Sequence, residues 1–399
     1  MMKAVKISDK VYWVGAIDWN LRDFHGYATH RGTTYNAYLV LSDKPTLIDT
    51  VKHEFYDEMM QRIQSVIDPK QIQIIISNHS ELDHSGALIE TVKTVCPDEV
   101  YVSAMGMKHI IAHFHQNLKL KTVKTGDRID VGGDTISFVE ARMLHWPDSM
   151  FSYLEKESIL FTNDVFGMHL ATNRLFDDEN DERIWLTEAE KYYANIVLPY
   201  SDIVLRFLEQ VKNMNLTPKM IAPDHGFIWR KDLTKIVNLY AKWAAQRPTN
   251  KAVIVYDSMW GSTEKMARQI ADGLTAGGTQ VRILSMHHSH RSDVALELLD
   301  SAALLIGTPV LNSQIFPSVA DVICYLKGLR KKNLIGTVFG SYGWNGAPIE
   351  DLMRTLESMQ IELATPALKT PFVPDEEVLN NCRELGKEIS RQIAAKLNA

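Results

Sequence analysis

The run Asn78-His79-Ser80-Glu81-Leu82-Asp83-His84-Ser85-Gly86 constrains this chain more than any other stretch. It sets four metal-capable side chains, His79, Glu81, Asp83 and His84, within six residues. The segment before it, Gln73-Ile74-Ile75-Ile76-Ser77, is β-branched at its centre and reads as a buried strand. Gly86-Ala87-Leu88-Ile89-Glu90 after it opens a helical pattern. Ionisable groups at such a turn contribute nothing to a core, and sheet ends are where sites are built. Alternation along extended chain sends His79, Glu81 and Asp83 to one side while His84 points across. That arrangement suits two adjacent metals better than one.

Three more donors follow expected strands. His145 comes after Phe138-Val139-Glu140-Ala141-Arg142-Met143-Leu144, Asp164 after Leu160-Phe161-Thr162-Asn163, and His225 after Met220-Ile221-Ala222-Pro223-Asp224. Any one of them alone reads as an ordinary satisfied polar residue. Their shared context reverses that reading and assembles four histidines with three carboxylates, Glu81, Asp83 and Asp164. Two divalent ions and a bridging hydroxide would leave such a set neutral. Asp164 is the natural bridge, since one carboxylate can give an oxygen to each ion. Imidazole with carboxylate suits iron, zinc or manganese. The groups His109, His113, His115 and His287, His288, His290 lack neighbouring carboxylates and strand-end context, and read as surface or packing histidines.

The 399 residues are enough for two or three domains. A formal charge of −6 offers no basic excess for nucleic acid. The cysteines, Cys96, Cys324 and Cys382, are scattered without a C-x-x-C, which excludes a disulfide framework and fits a reducing cytoplasm. No run reaches the ~20 apolar residues of a membrane span, and the N-terminus lacks a signal-peptide pattern.

Short strands are expected through residue 50, a helix over Glu54–Ile67, further strands and helices to Phe161, a long helix over Glu188–Asn213, and a helix over Asp232–Ala245. Strands at both ends with helices around them predict a helix-covered two-sheet sandwich, an αββα unit over residues 1–248. The polar, proline-bearing Gln246-Arg247-Pro248-Thr249-Asn250 marks the boundary. From 252 to 399 the pattern becomes β-α alternation, with strands at Lys251–Tyr256, Gln280–Ser285, Ala303–Gly307 and Ile335–Gly340, predicting a doubly wound parallel sheet. Its first strand ends in Asp257, then Ser258-Met259-Trp260-Gly261-Ser262-Thr263 and a helix. Hydroxyls, a glycine and helix N-terminal amides make an anion cradle that suits a phosphate monoester. The missing Walker lysine disfavours a P-loop NTPase, and the missing G-x-G-x-x-G disfavours a dinucleotide. Two further strand-end loops, Thr308-Pro309-Val310-Leu311-Asn312 and Ser341-Tyr342-Gly343-Trp344-Asn345-Gly346, are rich in aromatic and backbone-exposing residues, and the resemblance of the Ser258 loop to a flavodoxin phosphate loop implies that they flank a flavin ring.

The first cluster resembles the metallo-β-lactamase motif His-x-His-x-Asp-His, with Glu81 where the second histidine would stand. Glutamate there looks like the flavodiiron proteins, and the loop at Ser258 resembles a flavodoxin phosphate loop in which Trp260 replaces a small hydroxyl residue. The resemblance, closest to the methanogen branch, implies an A-type flavodiiron protein with FMN and a non-haem di-iron centre. It implies one iron on His79, Glu81, His145 and Asp164, the other on Asp83, His84, Asp164 and His225, and His25, His169 and Tyr193 close by as hydrogen-bond or proton donors. It further implies reduction of O2 to water with electrons relayed through FMN. Four electrons are needed, and reduced FMN and a diferrous centre hold two each. The implied donor is reduced coenzyme F420, with rubredoxin as the alternative. NO reduction to N2O needs two electrons and is the alternative reaction. The family arrangement implies a head-to-tail homodimer or a dimer of dimers. A zinc hydrolase with a regulatory flavodoxin domain, and a non-catalytic electron carrier, are the readings from other classes.

Overall fold

The computed structural model describes residues 2–116 and 118–398. They gather into two compact units, one drawn from residues 2–25, 29–192 and 202–241, the other from residues 26–28, 193–201 and 242–398.

The first unit is built on two sheets. Ile74–Ser77 lies inside a seven-stranded sheet, parallel to Thr46–Ile48 on one side and Glu99–Ser103 on the other. The isoleucine run is continuous because both of its faces are buried. Ile74 and Ile76 face the second sheet, packing in one core with Phe138, Met150, Leu154, Ile159 and Phe161. Ile75 faces the other way, into a core shared with Met59, Ile63, Leu88 and Ile110 from the helices Tyr56–Gln64, Leu88–Val95 and Ala104–Phe114. The period of two along a single strand thus supplies both layers. The second sheet runs in the order Arg128–Asp130, Thr135–Glu140, Met150–Leu154, Ile159–Phe161, Met220–Ala222.

Register then brings the donors to one edge. Ile159–Phe161 and Met220–Ala222 are parallel, with Phe161 opposite Ala222. Asp164 and His225 each follow those partners by three residues and so leave the sheet at the same level. His145 lies in the connection between Glu140 and Met150, which are themselves paired.

The long helix expected over Glu188–Asn213 is broken. Glu182–Tyr192 passes through a π turn, Tyr193–Val197, and a short 3-10 turn, Leu198–Tyr200, before Ser201–Asn213. Pro199 lacks the amide that a continuous helix requires there.

In the second unit the strands run parallel in the order Gln280–Ser285, Lys251–Tyr256, Ala303–Leu311, Ile335–Tyr342, Glu362–Leu363. Lys251–Tyr256 is buried along its whole length. Order reverses beside it, and ligands of such sheets bind at the carboxyl ends of the strands flanking that reversal. Helices Pro317–Leu329 and Ala347–Ser358, absent from the sequence reading, complete the alternation, and each carries proline in its first turn.

The helix that begins at the phosphate loop, Ser262–Ala276, crosses Glu376–Asn398 at two glycines. A Cβ on Gly273 would lie 2.0 Å from the Arg383 carbonyl oxygen, and one on Gly386 would lie 2.1 Å from that of Ile270. Only hydrogen fits between these backbones. Gly386→Ala is expected to destabilise this unit by about 1–3 kcal/mol through overpacking. Denaturant titration of the full chain checks this, and an unchanged midpoint contradicts so close a crossing.

Candidate functional site

Seven side chains converge at the edge where both sheets of the first unit end. His79 Nε2 lies 3.3 Å from Glu81 Oε2 and 3.4 Å from Asp164 Oδ2. His145 Nε2 lies 3.2 Å and 3.5 Å from the same two oxygens. Across Asp164 the pattern repeats. His84 Nε2 is 3.3 Å from both Asp83 Oδ2 and Asp164 Oδ1. His225 Nε2 is 3.2 Å from Asp83 Oδ2 and 3.4 Å from Asp164 Oδ1. Asp164 therefore turns one oxygen to each group.

These separations discriminate between hydrogen bonding and metal binding. Each imidazole nitrogen faces two carboxylate oxygens at nearly equal distance, and one N–H cannot serve both. Donors at about 2.0–2.1 Å from a common ion, spread tetrahedrally, lie about 3.3 Å apart. Both oxygens of Asp83, Nε2 of His84 and Oδ2 of Asp164 are buried with no hydrogen-bond partner. Such orphaned polar atoms are costly unless something binds them. Among the described residues, His79, Glu81, His145 and Asp164 form one group able to hold a metal ion, and Asp83, His84 and His225 form another. The donor set fits a pair of ions, with three buried carboxylates set against their charge.

A surrounding layer orients the imidazoles. His79 Nδ1 is 3.2 Å from Asp148 Oδ2, which also accepts from the Ser80 amide at 2.7 Å. His84 Nδ1 faces Asp224 Oδ2 at 3.4 Å. His225 Nδ1 donates to the Thr34 carbonyl at 2.7 Å. Each contact directs Nε2 into the cluster, as carboxylate or carbonyl partners do for metal-bound histidines. Asp49 anchors the turn itself, accepting from the Asn78 amide at 2.6 Å and its side-chain amide at 2.8 Å. Burial pushes the Asp49 carboxyl up to about 6. Burial also raises the Asp164 carboxyl, but the neighbouring histidines, His84 foremost, outweigh it and hold it well below its ordinary range.

His25 and His169 both stand beside the cluster. His25 Nε2 is 2.8 Å from Glu81 Oε1, the oxygen turned away from the other donors, and its side chain is half exposed. The hydrogen bond to Glu81 lifts its imidazolium above the ordinary value. His169 Nδ1 is 2.9 Å from the Thr33 hydroxyl, and that hydroxyl is 3.2 Å from His225 Nδ1. Tyr193 turns elsewhere, its hydroxyl 3.1 Å from Ser201 Oγ and its ring 5.3 Å from that of Trp243. The phenol that reaches the site belongs to Tyr192, which donates to Asp164 Oδ1 at 3.0 Å. One residue of helix is a rotation of about 100°, enough to exchange which tyrosine faces the donors.

Asp49, Asp148, Asp224, Thr33 and Thr34 also support the site, without belonging to the donor pattern of the sequence. Asp224 immediately precedes His225 and Asp148 follows His145 by three residues, so acidic neighbours of ligand histidines were the available signal. Asp49 and the two threonines reach the site only through folding. His109, expected to be unrelated to metal, lies 3.1 Å from Ser80 Oγ and 3.3 Å from Asp148 Oδ1. It touches the supporting layer and not the donors.

In the second unit a cavity of about 310 Å3 opens at the carboxyl ends of the strands. Ser258, Met259, Trp260 and Ser262 line it, with Pro309, Val310, Leu311 and Asn312 from the second loop and Ser341, Tyr342, Gly343, Trp344 and Asn345 from the third. Ser313 and Phe372 join them unanticipated. Gly261, Thr263, Thr308 and Gly346 support the loops from behind. Gly261 takes φ +82°, and its amide donates to Ser258 Oγ at 3.0 Å. Thr263 Oγ1 is 3.3 Å from Ser341 Oγ. Thr308 accepts from the Phe316 amide at 3.0 Å. Gly346 packs against the Tyr342 ring. The helix Ser262–Ala276 opens at the cradle with no side-chain cap, so its first amides face an incoming anion. An anionic phosphate at that end and a planar ring between exposed aromatics fit the residues present.

The model of the ODP family beta lactamase matches residues 33–226, and that of flavodoxin matches residues 254–386. A nitric oxide reductase of Moorella thermoacetica is 45% identical over 99% of this chain and 100% of its own. The solved rubredoxin oxygen:oxidoreductase of Desulfovibrio gigas superposes with TM-score 0.98 at 41% identity, over 100% of both chains. The flavodiiron protein of Giardia intestinalis superposes with TM-score 0.95 at 30% identity, covering 100% of this chain and 98% of that one. The chain belongs to the flavodiiron proteins. It is accordingly an oxidoreductase, with FMN on the second unit and a non-haem di-iron centre on the first. In this flavodiiron protein, Asp164→Ala is expected to lower iron content substantially while FMN stays bound. Elemental analysis beside flavin absorbance checks this, and unchanged iron contradicts the bridging position.

Proposed function

We propose that this flavodiiron protein reduces O2 to water, with His79, Glu81, His145 and Asp164 holding one iron and Asp83, His84, Asp164 and His225 the other. The observation that carries the reading is the division of Asp164 between two donor groups at nearly equal distances. When bound, the di-iron centre and FMN supply the electrons for reducing a diatomic ligand. The chain's own residues hold that chemistry in place. Asp148, Asp224 and the Thr34 carbonyl fix three imidazoles, and Tyr192 steadies the Asp164 oxygen that faces His84 and His225. His25, half exposed and bonded to Glu81, is positioned to pass protons between solvent and the site. His169, linked to His225 through Thr33, is kept neutral by burial and serves to position Thr33 against the His225 ring. The FMN loops are those beginning at Ser258, Thr308 and Ser341, and the two modules are taken as residues 1–248 and 252–399.

Reduction of NO to N2O is a second reading, favoured by the 45% identical Moorella relative named nitric oxide reductase. For the electron donor, the Desulfovibrio relative named rubredoxin oxygen:oxidoreductase favours a rubredoxin-like protein over reduced F420. The free cysteines Cys96, Cys324 and Cys382 suit a reducing cytoplasm, and among the described residues no helix is long and apolar enough to cross a membrane. Anaerobic stopped-flow with reduced rubredoxin is expected to reduce the flavin, and admitted O2 is then expected to be consumed without accumulating peroxide. Flavin that stays oxidised with rubredoxin but responds to reduced F420 reverses the donor assignment. Steady release of peroxide, or consumption of NO alone, overturns the O2 reading.

The rim of the flavin cavity is apolar and uncovered, with Trp260 91%, Trp344 86% and Phe372 68% exposed. Aromatic groups so exposed call for a partner surface. We take the working form to be a head-to-tail homodimer, alone or paired, with each FMN beside the partner's di-iron centre. Sedimentation combined with turnover at decreasing protein concentration is expected to show activity falling as dimers dissociate. Full turnover by monomers excludes it.

A further inference from the structure

At the opposite end of the FMN-binding sheet lies a larger cavity, about 740 Å3, that the flavodiiron activity does not use. Leu304, near the start of one strand, lines it, whereas Pro309, further along the same strand, lines the flavin cavity. Five residues of extended chain separate the two by about 16 Å. The lining combines an apolar body with a one-sided charge. Leu298, Leu304 and Leu326 supply the first, and Lys327, Arg330 and Lys331 the second, with no aspartate or glutamate among the lining residues. That excess is local, since the chain as a whole carries −6.

Lys327 and Arg330 close the helix Pro317–Leu329, where cations complement the carboxyl end of the dipole. Lys331 is different. It lies beyond the helix and is 8% exposed, and its ammonium donates to the Lys332 carbonyl at 3.0 Å. Among the described residues no carboxylate comes within ion-pair distance of it. Asp300, the acidic group whose field it feels, is bound to Lys251 at 2.8 Å. Burial pulls the Lys331 ammonium down to about 8. A buried ammonium with three donors and one carbonyl partner leaves donor directions for an anion. The cavity volume lies within the ordinary range of small-molecule sites, about 300–1,000 Å3.

We propose that this cavity binds a monocarboxylate with a short hydrocarbon body, its head on the Lys331 ammonium and its tail against Leu298, Leu304 and Leu326. The site lies at the other end of the sheet from the flavin cavity, so occupancy is expected to stabilise the unit without supplying electrons.

Calorimetry on the full, FMN-loaded protein tests this with three probes: octanoate, acetate (the head alone) and octanol (the body alone). Octanoate is expected to bind saturably at one site per chain, and acetate and octanol each at least about 10-fold more weakly. Lys331→Met is expected to weaken octanoate by about 10-fold or more, as loss of a charge-assisted bond does. FMN and iron content of this variant should match the unmodified protein. A second measurement needs no variant: octanoate should shield Lys331 from an amine-acetylating reagent, read by peptide mass spectrometry, while exposed Lys70 stays reactive. Absence of saturable octanoate binding, acetate binding as tight as octanoate, unaltered affinity in K331M, or an unshielded Lys331 each overturns the proposal.

Discussion

Three carboxylates, Glu81, Asp83 and Asp164, are 6%, 3% and 2% exposed and lie within one small cluster. Three negative charges in so little solvent repel strongly unless cations lie among them. The rest of the first unit answers that constraint. Two sheets end at one level to deliver the donors, and the four histidines separate the acids. The outer contacts from Asp148, Asp224 and Thr34 commit the imidazole Nε2 atoms inward. A pair of metal ions turns the arrangement from repulsive to favourable, so metal content and local folding are linked.

The same reasoning separates the two units chemically. The first concentrates charge in a buried cluster of side chains. The second offers an uncapped helix start, a left-handed glycine and aromatic walls, with charge recognition left to backbone amides. One is suited to cations and the other to a phosphate ester with a planar ring. An oxidoreductase needing a metal pair and a flavin therefore requires both designs in one chain.

Much of this was legible beforehand because it is local. A β-branched run followed by clustered donors signals a strand ending at a site, and Ile74–Ser77 with His79, Glu81, Asp83 and His84 follows that rule. Hydroxyls and glycine between Tyr256 and the next helix signal a phosphate cradle. Pattern and structure part where local signal and tertiary context diverge. Periodicity continued from Glu188 through Asn213, yet the π turn beside Pro199 broke it, and the phase of the helix before that turn set Tyr192, not Tyr193, beside Asp164. Asp49, Thr33 and Phe372 carried no sequence signal, because each reaches its site across a long stretch of chain.

By itself the sequence marked the candidate donors and determined the two-part architecture and the order of its parts, since residue chemistry and hydrophobic period act over a few neighbouring positions. Tertiary structure alone decided that Asp164 turns one oxygen toward each donor group, that Tyr192 is the phenol beside it, and that Lys331 lines a cavity with, among the described residues, no carboxylate at ion-pair distance. Those facts depend on sheet register and side-chain direction fixed by packing between distant segments, where ångström differences separate a shared ligand from a bystander.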